Sequence, residues 1–182
     1  MDRATFFKLR LYMTGAVTVL ICALLAWNHY HGGIQGHHLL ADKDLPRFSN
    51  AWGVLVLPLL TWLLLFRVQK RIFLPQNDRA ESASFRSAIY GFVIALVYGI
   101  ILSAFYEFGY PDFSGYMTIG IFVLALFFPV YRAEYFLGYV LGLFVSFGSV
   151  IPTIIGSVVL LICFLLYRFV RTAVLWMVSR LS

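Results

Sequence analysis

Charged side chains are scarce in this chain. Only 12% of its 182 residues are Asp, Glu, Lys or Arg, whereas 62% are apolar. Soluble domains have about a quarter charged residues and about half apolar ones. The composition therefore excludes an ordinary soluble domain. It predicts an integral membrane protein without a separate soluble domain, whose first partner is the lipid bilayer.

Cysteine is scarce as well, with Cys22 and Cys163 as its two occurrences. Both fall within long apolar runs, which favours a role as small packing residues over a disulfide or a redox pair. The chain also lacks an H-E-x-x-H motif, a paired C-x-x-C motif and any standard zinc-finger spacing. Motif-defined zinc and thiol-redox sites are therefore excluded.

Asp, Glu, Lys, Arg and His are missing from the middle of every long apolar run. Such residues are costly inside a membrane and are retained where they carry protons or ions. Their absence disfavours a proton-coupled transporter or pump. It equally disfavours an intramembrane Ser–His protease and a haem held by two histidines inside the bundle.

Apolar runs long enough to cross a bilayer fill most of the chain. About 20 mostly apolar residues cross a hydrocarbon layer of roughly 30 Å. Gly148 and Pro152 predict a break between the last two runs, which favours six spans over five. The fold class is therefore all-α, a helical bundle with transmembrane helices at about 7–28, 51–66, 84–106, 115–131, 134–147 and 152–167.

The first apolar run follows Arg3, Lys8 and Arg10 and so resembles a signal peptide. It is longer than the apolar region of a signal peptide, and no A-x-A cleavage site follows it. We expect it to be a retained first span.

Lysine and arginine are divided unevenly between the two sides of the predicted bundle. With a cytoplasmic N-terminus, 12 of the 14 lie inside, and only Lys43 and Arg47 lie outside. Because Lys and Arg accumulate in cytoplasmic loops, both termini are predicted to be cytoplasmic. The loop 29–50 then faces the periplasm or exterior of a bacterial inner membrane. The segment 168–182 is predicted to be an amphipathic tail on the inner surface.

The net charge of +6 is explained by the same distribution. Basic residues that flank apolar runs set orientation and contact anionic lipid. We therefore expect no nucleic acid partner.

All four histidines lie in the predicted outer loop or at its edge. His29 and His31 would point the same way on an extended backbone, and His38 and Asp42 would share one face of a helical turn. Neutral imidazole and carboxylate groups suit zinc and related divalent metals. One hypothesis is therefore a divalent metal, such as zinc, held by His29, His31, His38 and Asp42.

A second outer loop, YEFGYPDFSGY, is acidic and aromatic. It would bring carboxylate and tyrosine groups beside the histidine loop. The candidate ligand-binding residues are His37, Asp44, Glu107, Tyr110 and Asp112. Two alternatives stay open: the histidines are ordinary interface residues, or they sense pH, since imidazole changes charge between about pH 5 and 8.

Gly138 and Gly142 form a G-x-x-x-G stripe in the fifth predicted span, and Ser146 follows four residues later. Small residues at this spacing let a second helix approach closely. The stripe favours packing against a neighbouring span of the same chain. A homodimer face is the alternative.

Three classes of function are compatible with these features. The first is a membrane protein that binds a small molecule or lipid, including a transporter subunit. In size and number of spans the chain resembles the substrate-capture subunits of energy-coupling-factor vitamin transporters, a resemblance of architecture that no motif carries. The second class is a metal-dependent enzyme acting on a lipid or envelope substrate at the outer surface. The third is an accessory subunit that docks through its outer loop. Loose spacing of the candidate residues favours binding or docking, and leaves open whether the protein is an enzyme.

Overall fold

The computed structural model of the chain describes residues 3–30, 36–38, 47–49, 52–73, 78–170 and 172. Six α-helices account for most of this part. They are α1 (Arg3–Tyr30), α2 (Gly53–Ile72), α3 (Asp78–Glu107), α4 (Pro111–Phe127), α5 (Ala133–Phe147) and α6 (Val150–Leu165). The predicted all-α fold with six helices is confirmed.

Two short strands interrupt the long connection between α1 and α2. The strand β1 (Gly36–His38) pairs antiparallel with β2 (Arg47–Ser49), and His37 lies opposite Phe48. The sequence did not predict this hairpin. The rest of the loop 29–50 beyond α1 lies outside the described residues.

Four of the helices are long and apolar enough to cross a membrane: Arg3–Trp27, Gly53–Ile72, Ser82–Glu107 and Val150–Val170. This indicates an integral membrane protein. The apolar stretches Asp112–Phe127 and Ala133–Phe144 are shorter. At about 1.5 Å per residue, α5 extends for roughly 22 Å, which is less than the hydrocarbon thickness. Six full crossings and a cytoplasmic N-terminus stay predictions.

Two helix boundaries have clear local causes. The fourth span was predicted to reach residue 131, but α4 ends at Phe127 because Phe128 adopts the extended backbone required before Pro129. Gly148 then separates α5 from α6 with a φ of 69°, a conformation that side chains disfavour. The separation of the last two helices is thereby confirmed.

The end of the chain is described only in part. A π-helical segment, Leu166–Val170, continues α6, and Thr172 donates a hydrogen bond to the Arg168 carbonyl. The rest of the predicted tail lies outside the described residues.

The closest contact between helices joins α3 and α5. A Cβ atom placed on Gly142 would lie 2.6 Å from the Leu96 carbonyl oxygen and 2.9 Å from the Gly99 Cα. A Cβ atom on Gly138 would collide with the Phe92 carbonyl oxygen. The stripe therefore packs within the chain, as favoured. Because α3 covers both glycines, they are not open to a second copy.

The same contact continues toward the far ends of both helices. Ser103 Oγ donates a hydrogen bond to Ser146 Oγ at 2.6 Å, and the rings of Tyr106 and Phe147 lie 4.5 Å apart. Contacts advance in the same direction along α3 and α5, so the two helices run parallel. Close backbone approach thus extends over several turns.

The buried core centres on α5. Leu137 and Val140 are fully buried, and they pack with Ile21 of α1 and with Leu57 and Leu64 of α2.

Helices α1 and α2 are antiparallel, since the Arg3 guanidinium donates to the Phe73 carbonyl oxygen. The starts of α1, α3 and α5 lie at the same end of the bundle as the ends of α2 and α6. We call this the basic end of the bundle.

Arg10 is a buried cation that joins α1 to α2 at the basic end. Its side chain is 6% exposed, and its guanidinium carbon lies 3.8 Å from the centre of the Trp62 ring. Nη1 donates to Gln69 Oε1 at 3.0 Å. The planar guanidinium is suited to this stacked position, whereas the lysine ammonium is not.

We expect Arg10→Ala to lower the free energy of unfolding by about 2 kcal/mol, the scale of a desolvated cation–π contact. Arg10→Lys should fall between Arg10→Ala and the unaltered chain. SDS-induced unfolding of the purified protein measures the difference. Lys8→Ala, on an exposed position of α1, is the control. Equal stability of Lys8→Ala and Arg10→Ala would show that the stacked cation contributes nothing.

Candidate functional site

The predicted metal ligands are described only in part. His29 lies in the last turn of α1, with its ring against Tyr30, so the backbone at His29 is helical and not extended. His31 and Asp42 lie outside the described residues, and His38 is described by its backbone in β1. Within the described part of the chain, no three His, Cys, Asp or Glu side chains form a metal cluster. The metal set stays a prediction.

Three of the predicted ligand-binding residues lie on the tight turn between α3 and α4. Glu107, Tyr110 and Asp112 are all exposed there. Gly109 closes the turn with a φ of 83°. His37 is described by its backbone alone, and Asp44 lies outside the described residues. This set also stays a prediction.

A charged cleft lies at the basic end, between α2, α5 and α6. Its volume is about 240 Å³. The wall carries three guanidinium groups and one carboxylate, together with a tyrosine and four apolar side chains. We call it the arginine cleft, and its lining residues are Leu64, Arg67, Val68, Arg71, Tyr131, Arg132, Ala133, Glu134 and Leu160.

One ion pair anchors the arginine cleft. Arg71 Nη1 lies 2.5 Å from Glu134 Oε1. The Glu134 side chain is 3% exposed, whereas that of Arg71 is 32% exposed. Glu134 Oε2 and Arg71 Nη2 are buried and have no hydrogen-bond partner. The pair is therefore half satisfied, with one donor and one acceptor unused.

Local sequence explains how the three arginines converge. Arg67 and Arg71 are four residues apart on α2, so they share one helix face. Arg132 is the N-cap of α5, with extended backbone, and its carbonyl accepts the amide hydrogens of Tyr135 and Phe136. The amides of Ala133 and Glu134 therefore begin the helix, where N–H groups lack helical partners and the dipole is positive.

An apolar groove lies on the other side of α2, between α1, α2 and α3. Its volume is about 270 Å³, and Glu134 is its single charged lining residue. Val68 and Glu134 line both this groove and the arginine cleft. The remaining lining residues of the apolar groove are Phe6, Leu9, Met13, Leu65, Ile72, Phe85, Ala88, Ile89, Phe92 and Leu137.

A smaller hollow of about 90 Å³ lies between α3, α4, α5 and α6. Three tyrosines reach it, of which Tyr98 donates its hydroxyl hydrogen to the Met117 carbonyl oxygen at 2.5 Å. Cys163 contributes its thiol. This volume is little more than a third of that of the arginine cleft or the apolar groove, so it suits only a small apolar group.

No family model, curated protein or solved structure matches this chain. The resemblance to energy-coupling-factor subunits therefore stays one of size and span number.

Sequence reasoning assigned the basic residues that flank apolar runs to orientation and to general contact with anionic lipid, and it did not group the cleft arginines into a site. The four-residue spacing of Arg67 and Arg71 was visible in the sequence, as was the Arg132-x-Glu134 pair at a helix start. Neither signal identifies a partner, because Arg71 and Glu134 are 63 residues apart. Only the packing of α2 against α5 brings them together.

Proposed function

We propose that this protein binds a lipid-like amphiphile within the membrane, with one hydrocarbon chain held in the apolar groove. The observation that carries the proposal is a hollow of about 270 Å³ whose lining is apolar apart from Glu134. Ligand sites are usually concave and mostly apolar, with few polar groups. Apolar cavities stay dry and accept apolar molecules.

Access to the groove supports a ligand from the bilayer. Leu9 and Ile89 line the groove and are 37% and 44% exposed, so the groove opens on the face that α1 and α3 present to lipid. The inner wall is closed by Phe6, Val68 and Ile72, which are almost fully buried. A hydrocarbon chain can therefore enter sideways, and the inner wall limits how far it penetrates.

Narrowing the groove tests this proposal. Leu9→Trp adds apolar volume at the groove, whereas Leu11→Trp adds the same volume two residues along α1, at a position 54% exposed that does not line the groove. With a photoactivatable fatty acid in lipid nanodiscs, we expect crosslinks to concentrate on peptides of α1, α2 and α3 around the groove. Leu9→Trp should reduce them severalfold, and Leu11→Trp should leave them unchanged.

Uniform labelling would contradict the proposal. Val19 and Leu20 lie on α1 away from the groove and are 70% and 60% exposed. If they are labelled as strongly as Leu9 and Met13, the fatty acid only samples the lipid-facing surface. Equal loss of labelling in both tryptophan variants would lead to the same conclusion.

A further inference from the structure

We infer that the arginine cleft is a binding site for the phosphate-bearing headgroup of an anionic lipid. The cleft holds three guanidinium groups against one carboxylate, which leaves an excess of two positive charges. That the phosphate belongs to a lipid rests on the function proposed above. The anion site itself is argued from the cleft alone.

The cationic groups of the cleft are incompletely paired. Glu134 Oε1 contacts Nη1 of Arg71, and Nη2 of the same guanidinium is buried, so the donors open to a ligand are mainly those of Arg67 and Arg132. Among the described residues, neither Arg67 nor Arg132 has a carboxylate within ion-pair distance. Phosphate oxygens accept hydrogen bonds from two guanidinium nitrogens at once, and these charge-assisted bonds are short and strong.

The start of α5 adds to the same positive field. Arg132, Ala133 and Glu134 line the cleft, so the first amides of this 15-residue helix lie at its wall. Helix N-termini bind phosphate because their amide hydrogens are unpaired and the helix dipole is positive there. Glu134 offsets part of this field, but its Oε1 is committed to Arg71.

The shape of the cleft favours an amphiphile over a free ion. Leu64 lies one turn before Arg67 and Val68 on α2, and Leu160 faces it from α6, so part of the lining is apolar. A lipid can place its phosphate on the arginines and direct one chain over Leu64 and Leu160 toward the bilayer, while another chain occupies the apolar groove. Val68 and Glu134 are shared with the apolar groove, which puts headgroup and chain sites side by side.

Basic residues at a membrane boundary also attract anionic lipid without forming a site. The test must therefore separate the cleft from general surface charge. Arg67→Gln and Arg132→Gln remove cleft charges and leave the Arg71–Glu134 pair in place. Lys70→Gln and Arg86→Gln remove exposed charges of α2 and α3 that do not line the cleft.

Native mass spectrometry of the purified full chain in detergent measures lipid binding directly. We expect phosphatidic acid to bind at least about tenfold more tightly than phosphatidylcholine with the same chains, because choline's positive charge opposes the cleft. The double variant Arg67→Gln/Arg132→Gln should lose about tenfold or more of phosphatidic acid affinity, as expected for lost charge-assisted hydrogen bonds. Lys70→Gln and Arg86→Gln should stay within about twofold of the unaltered chain.

Three results would overturn the inference. One is an equal loss of affinity in the control variants, which would assign binding to surface charge. Another is the absence of any headgroup preference. The third is displacement of the lipid by inorganic phosphate at equal concentration, which would identify a free ion as the ligand. Leu9→Trp separates the two proposals. The effect of this variant on fatty-acid labelling tests the apolar groove, whereas its headgroup preference tests the arginine cleft.

Discussion

Gly142→Leu is expected to destabilise the bundle more than any other single substitution considered for this chain. A Cβ atom at this position would lie 2.6 Å from the Leu96 carbonyl oxygen and 2.9 Å from both the Gly99 Cα and the Ile100 nitrogen. All three atoms belong to backbone, so no rotamer change can relieve the collision. The two parallel helices α3 and α5 would have to separate.

Overpacking of a well-packed core usually costs about 1–3 kcal/mol. We expect Gly142→Ala to fall in that range and Gly142→Leu to exceed it, since closely approaching backbones stabilise helix pairs in membranes. The measurement is SDS-induced unfolding of the purified protein, followed by circular dichroism.

Gly115→Leu is the matched control for this prediction. It also replaces a helical glycine in an apolar helix, but a Cβ atom there meets nothing within 4 Å. Its unfolding free energy should match or slightly exceed that of the unaltered chain, because leucine favours helix over glycine. If Gly142→Leu and Gly115→Leu were equally stable, the close contact between α3 and α5 would be disproved.

Arg71→Leu is expected to have the second-largest effect, a loss of about 3–5 kcal/mol, because it leaves the buried Glu134 carboxylate without its partner. Glu134 is 3% exposed and cannot regain water without moving the start of α5. Glu134→Leu should cost less, since the Arg71 side chain is 32% exposed and its guanidinium can turn toward solvent. The two single variants therefore differ even though they break the same ion pair.

The double variant Arg71→Leu/Glu134→Leu should recover most of the lost stability, because apolar replacements of a buried pair are often neutral or stabilising. Arg67→Leu, one turn earlier on α2, is the control and should change stability by less than about 0.5 kcal/mol. A double variant whose loss equals the sum of the two single losses would show that the pair is not coupled.

Helix positions were largely predictable from the sequence because they depend on local properties. Long uncharged runs place the apolar helices, and Gly148 predicts the break before α6. The predicted fourth span extended past the end of α4 because the apolar run continues beyond Phe127, whereas the effect of Pro129 on Phe128 ends the helix. The apolar stretches of α4 and α5 are shorter than those of the other four helices, and the helix ends that set these lengths depend partly on packing.

The candidate site was not predictable in the same way. Sequence reasoning concentrated on the histidine loop, where ionisable residues are close together along the chain. The arginine cleft instead combines Arg67 and Arg71 with Arg132 and Glu134, from helices far apart in sequence. Taken singly, each of these residues is a charged residue beside an apolar run, and that position does not distinguish it from the other charged residues of the chain.

The sequence by itself determined the class of this protein: an apolar, helical chain in which the small residues Gly138 and Gly142 allow a second helix to approach closely. These properties follow from composition and from spacing along one helix. Only the tertiary structure decided that α3 fills the contact, that Arg71 meets Glu134, and that a charged cleft adjoins an apolar groove. The physical reason is that spacing along the sequence determines which side chains share a face of one helix. Which other helix contacts that face depends on how all the helices pack together.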